Sequence, residues 1–130
     1  MERTTGLNSE LEKEAPNVVK EVLFRHLVAR GYMAEIVCQE AAFRKASIWY
    51  GEWIVRLVNE DRTFSKVLIT SPRRPLDELD DVKVRLFKTI NGLTSFMHEV
   101  GFAHLDVPLI AGGRTLQTLP DEVVEQSNKK

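Results

Sequence analysis

Between Ala46 and Thr70 the chain is dominated by residues that suit strands, among them Ile48, Trp49, Tyr50, Trp53, Ile54, Val55, Val58, Phe64, Val67 and Ile69. Branched and aromatic side chains pack well on a pleated surface. A block like this demands a sheet, and a sheet this apolar demands a layer to cover it. Asn59-Glu60-Asp61-Arg62 is polar and interrupts the block, so Trp53–Val58 and Phe64–Thr70 are expected to form an antiparallel hairpin around it. Gly51-Glu52 admits two readings. It is either the centre of a tight turn, with glycine first as type II′ requires, or a bulge inside one long strand.

The flanking segments supply the rest. Upstream, Met33–Glu40 alternates as a strand, with Ala34, Ile36 and Cys38 on one side; Gln39–Lys45 suits either a strand or a short helical turn. A helix is expected over Asn17–Arg30 from the spacing of Val19, Val22, Leu23 and Leu27, with Gly31 at its C′ position. Downstream, the prolines of Ser71-Pro72-Arg73-Arg74-Pro75 end the sheet. Pro75 suits the first turn of a second helix, where Asp77, Glu78, Asp80 and Asp81 meet the positive end of the dipole. Leu79, Val82, Leu86, Ile90, Leu93, Met97 and Val100 carry that helix to Gly101, with Asn91-Gly92 in its middle as a place for a kink or a break into two helices. Leu105–Ile110, with Pro108 inside it, reads as an edge strand or an extended packed segment.

The expected fold is therefore α+β: an antiparallel sheet of three to four strands covered on one face by two helices, in the order α-β-β-(β)-β-α-β. Residues 17–110 form the domain. Residues 1–16 are expected as a flexible N-terminal arm, and 111–130, opening on Ala111-Gly112-Gly113, as a flexible C-terminal tail.

Composition narrows the function. The chain has 130 residues, 18 Lys plus Arg against 19 Asp plus Glu, and 43% hydrophobic residues. That is one ordinary globular domain, neither collagen-like nor disordered. A formal net charge of −1 argues against a generic polyanion binder. The single cysteine, Cys38, makes no internal disulfide. No apolar run approaches a bilayer span and the N-terminus does not read as a signal peptide, so a cytoplasmic protein without a membrane partner is expected.

Motifs for chemistry are missing. His26, His98 and His104 do not pair at helical spacing and Cys38 has no second cysteine nearby, so no metal site and no cofactor are expected. No G-x-S-x-G elbow is present, and Gly112-Gly113-Arg114-Thr115 lacks the strand and helix that make a phosphate loop. Cys38 reads as a small hydrophobe, and no catalytic residue is assigned.

Two features remain as partner-binding candidates. Trp49, Tyr50 and Trp53 would mark a partner surface if they lie on the open face of the sheet. Arg73 and Arg74 sit between two prolines on a stiff loop suited to an acidic partner or phosphate. The α-β-β-β-α order resembles the general plan of secretion-chaperone-like dimers. That resemblance implies a non-enzymatic module, chaperone-like or an adaptor homodimer, holding an extended peptide on its sheet. The alternative is a nucleic-acid-binding accessory protein with a basic patch around Arg73 and Arg74, joined by Arg44, Lys45 and Arg114.

Overall fold

A computed structural model describes residues 17–70 and 83–120. The expected N-terminal arm, the Arg73-Arg74 loop, the acidic stretch Asp77–Asp81, Leu79, Val82 and residues 121–130 lie outside the described residues.

The fold is α+β, with a six-stranded sheet rather than three or four strands. In chain order the elements are β1 (Val18–Val19), α1 (Glu21–Ala29), β2 (Met33–Lys45), β3 (Ile48–Val58), β4 (Ser65–Leu68), β5 (Phe87–Thr89), α2 (Ile90–Val100) and β6 (Arg114–Gln117). The strand order is β1-β4-β3-β2-β6, with β5 pairing the upper part of β3. All pairings are antiparallel except β1 with β4. The hairpin expected around Asn59–Arg62 is present, with Val58 opposite Ser65 and Arg56 opposite Val67.

The core lies between the sheet and the two helices. Ala34, Ile36 and Cys38 of β2 and Trp53, Val55 and Leu57 of β3 point into it, where Phe24 and Val28 of α1 and Leu93, Phe96 and Met97 of α2 meet them. The intervening strand residues Glu35, Val37, Ile54 and Arg56 take the opposite face, as the period of two requires.

Four expectations need correction. The first helix begins at Glu21, because Val18 and Val19 pair with Val67 and Leu68. The buried side chains of α1 are Phe24 and Val28; Val22 and Leu23 face out. The second helix begins at Ile90, and residues 83–89 are not part of it. Phe87 and Thr89 lie opposite Trp53 and Tyr50 as strand partners, and Leu86 is exposed. Thr89 is then the N-cap, its Oγ1 accepting from the Gly92 amide at 3.0 Å. Asn91-Gly92 is thus the helix's first turn, where glycine interrupts little, and no kink arises. Gly101 ends the helix at φ +127°, as expected. Finally, the residues directly after Gly113 belong to the sheet. Arg114–Gln117 pairs with Ala34–Val37 as β6, while Gln117 and Thr115 hold the backbone of Asp106 with their side chains.

Candidate interaction surface at the end of the β2–β3 hairpin

β2 and β3 continue past the body of the sheet and close in a two-residue loop, Ala46-Ser47. The last pairs are Phe43 with Tyr50, Arg44 with Trp49 and Lys45 with Ile48. Two register shifts, between Cys38 and Phe43 on β2, separate the pairing of this arm from that of the sheet below it. Of the two readings of Gly51-Glu52, the bulge is the one realised: β3 stays continuous through Gly51, and an extra β3 residue enters between the pairs Tyr50–Thr89 and Trp53–Phe87.

The arm carries large apolar side chains that the core does not use. Phe43 is 55% exposed, Ile48 46% and Trp49 43%. Phe43 and Tyr50 stack with ring centroids 5.7 Å apart. Between the arm and the start of α2 lies a cleft of about 480 Å³, lined by Ile48, Trp49, Tyr50, Thr89, Ile90 and Asn91 among others. Arg44 and Lys45 flank the aromatics, and among the described residues neither makes an ion pair. The nearest one is Lys88 with Glu52 at 3.2 Å, further down the strand. Along the β2 edge, backbone groups here also have no strand neighbour among the described residues. The segment before β6 covers the β2 edge as far as Ala42, whose amide donates to the Leu109 carbonyl. Beyond it, Phe43–Lys45 has no described neighbour on that side.

The structure divides the aromatic trio named from the sequence. Trp49 is on the surface and Tyr50 half-buried beside it. Trp53 is wholly buried, and its Nε1 donates to the Pro108 carbonyl at 2.8 Å. Trp53 is therefore a core residue, set by the alternation of β3 on the same face as Val55 and Leu57. Phe43 and Ile48 complete the surface and were missed, since Gln39–Lys45 reads equally as strand or helical turn. The expected basic patch is not assembled in the described part. Arg44 and Lys45 lie at the end of the arm, whereas Arg114 lies opposite Val37 at the other end of β2.

Cys38 is buried, and burial pushes its thiol above the ordinary value. Its Sγ donates to the Glu40 carbonyl. A thiol held neutral in this way is a poor nucleophile. His26, His98 and His104 are all exposed, and no group of metal-ligating side chains occurs among the described residues. No helix there is long and apolar enough to cross a membrane. Comparison with protein-family models, with curated proteins and with solved structures finds no match to this chain.

Proposed function

We propose that this chain is a non-enzymatic protein-interaction module, of chaperone-like or adaptor type, that holds an extended peptide against the end of its β2–β3 hairpin. The peptide belongs to a partner or to a second copy of the chain. One observation carries this reading: Phe43 and Ile48 on one face of the arm and Trp49 on the other are exposed, on an arm whose β2 edge has no strand neighbour among the described residues. An added strand would gain main-chain hydrogen bonds from that edge. Its alternate side chains would cover the aromatics and enter the cleft beside Ile90.

The two tryptophans make a direct test. Trp49 is exposed and Trp53 is buried, so a bound peptide should shift only the emission of Trp49 to the blue. A panel of extended apolar peptides is titrated into the wild type and into a Phe43→Ser, Trp49→Phe variant. At least one peptide should bind the wild type, and at least tenfold more tightly than the variant. If none binds and light scattering shows a strict monomer, the reading fails.

A second reading rests on Arg44 and Lys45 standing opposite Trp49 and Ile48. Bases beside exposed rings are also how single-stranded nucleic acid is held, by stacking and phosphate contact. Arg73 and Arg74, expected from the sequence in this role, lie outside the described residues. Binding of a single-stranded oligonucleotide that weakens steeply with salt would favour this alternative. No binding at low salt would remove it.

A further inference from the structure

On the sheet face turned away from the helices, the strand register sets Glu35 between Arg56 of β3 and Leu116 of β6. One pair further along, Arg114 lies opposite Val37 on the same face. The β3–β4 turn sends back a third arginine, Arg62. The Glu35 side chain is only 5% exposed, and each carboxylate oxygen accepts from a different guanidinium. Arg62 Nη1 reaches Oε2 at 3.3 Å and Arg114 Nη1 reaches Oε1 at 3.4 Å. Arg56 takes no part in this; its Nε and Nη2 donate to Ser65 Oγ, a neutral acceptor, at 3.1 and 2.7 Å. Two guanidinium groups thus share one carboxylate, and a third, Arg56, stands on the same sheet face without pairing to it.

Stability alone does not account for the cluster. A buried carboxylate with two long, single contacts carries a desolvation penalty, and an apolar residue beside Val37 and Ile54 would serve the sheet as well. Neither arginine uses its fork: each gives one of five N–H donors to Glu35. Their side chains are 53% and 58% exposed, which leaves the remaining donors facing outward. Arg62 also sits at φ +65°, a left-handed conformation that non-glycine residues rarely adopt. The turn keeps it there. Its amide donates to the Asn59 carbonyl, and the neighbouring Asp61 carboxylate is occupied by the Thr63 amide and hydroxyl. Asp61 makes no ion pair with Arg62, and no ion pair among the described residues joins Glu60 to the cluster.

We propose that Arg56, Arg62 and Arg114 form a binding site for a phosphate dianion, free or as a monoester, with Glu35 as the buried group that positions two of the guanidinium planes. The net charge of the four residues is two positive. A phosphate monoester near neutral pH carries −1.5 to −2 and several acceptor oxygens, so it matches that excess, whereas one carboxylate would leave charge uncompensated. Guanidinium forks suit the tetrahedral oxygens better than ammonium groups do. The site does not depend on the hairpin surface, which lies at the other end of β2.

The test is a titration of the full chain with inorganic phosphate, and separately with sodium chloride at equal ionic strength, followed by amide and arginine Nε–Hε resonances. Saturable shifts at Arg62, Ser65 and Arg114 are expected with phosphate and not with chloride. Arg62→Gln with Arg114→Gln should weaken phosphate binding at least tenfold. Arg114→Lys, which keeps the charge and loses the fork, should weaken it several-fold. Should the double variant fail to fold, Arg62→Gln alone, on the exposed turn, is read in the same way. Identical responses to phosphate and chloride in the wild type overturn the proposal, as does a folded variant that binds phosphate as tightly as the wild type. Phosphoserine and a nucleoside monophosphate then identify the source. Tighter binding of one than of inorganic phosphate points to a phosphorylated protein or to a nucleotide, and equal binding points to the free ion.

Discussion

Gly51 and Trp53 act as one unit. A Cβ on Gly51 would stand 2.6 Å from Cη2 of the Trp53 ring, so only glycine lets the ring lie beneath the bulge. The ring has no free direction in which to retreat, because its Nε1 is tied to the Pro108 carbonyl in the core. Moving it would leave a buried carbonyl without a donor, which costs roughly 1–3 kcal/mol. Gly51→Ala is therefore expected to destabilise the protein by about 1–3 kcal/mol, the usual range for overpacking. Urea unfolding should show a lower midpoint, and the folded state should emit further to the red as Trp53 loses its dry site. A variant with the wild-type midpoint and spectrum would show that the ring is not confined as described.

At the scale of the element, the hairpin loop has the right shape and the wrong residue. Ala46 has φ +58°, whereas Ser47 is not in the positive-φ region, the sign pattern of a turn that favours glycine first. A left-handed alanine costs roughly 1–2 kcal/mol. Ala46→Gly should relieve part of that strain, and hydrogen exchange of the Phe43–Tyr50 amides should slow several-fold while the core amides stay unchanged. Unchanged exchange in the arm would mean that the loop is not strained. The same loop explains what was and was not legible in the sequence. Turn chemistry was sought at Gly51, the glycine nearest the middle of the apolar block, but that glycine is needed to clear Trp53. The real turn carries no glycine to mark it. The hairpin at Asn59–Arg62 was legible because Asn59 and Asp61 cap it with their own side chains. The stripe from Leu93 to Met97 was legible as helix, whereas Leu86 matched the spacing by accident and Thr89 fixed the true start. Trp49 was identifiable as a candidate from composition. The arginine cluster was not, because Glu35, Arg56, Arg62 and Arg114 are brought together only by pairing across three strands and a turn.

At the scale of the molecule, two parts carry different burdens. The body is joined at the Phe96 ring, which lies 5.8 Å from Phe24 of α1 and 5.3 Å from Phe87 of β5. Arg85 and Arg25 stand over the same ring at 4.8 and 5.9 Å, and Glu21 pairs with both arginines. One side chain of α2 thus touches α1, β5 and the segment leading into β5. Phe96→Ala should cost about 3–5 kcal/mol through the cavity left behind. That is a large share of the 5–15 kcal/mol available to most domains. Glu21→Gln should cost no more than about 1 kcal/mol, since its ion pairs are partly exposed and screened. The arm, by contrast, contributes Phe43 and Trp49 to no core contact. Trp49→Ser should therefore move stability by about 0.5 kcal/mol or less, as surface changes do, and Phe43→Ser by no more than about 1 kcal/mol, through its lost stack on Tyr50. Urea unfolding followed by circular dichroism measures all four variants on one scale. Were the arm variants to lower the midpoint as far as Phe96→Ala does, Phe43 and Trp49 would be serving the fold, and their exposure would no longer argue for a partner.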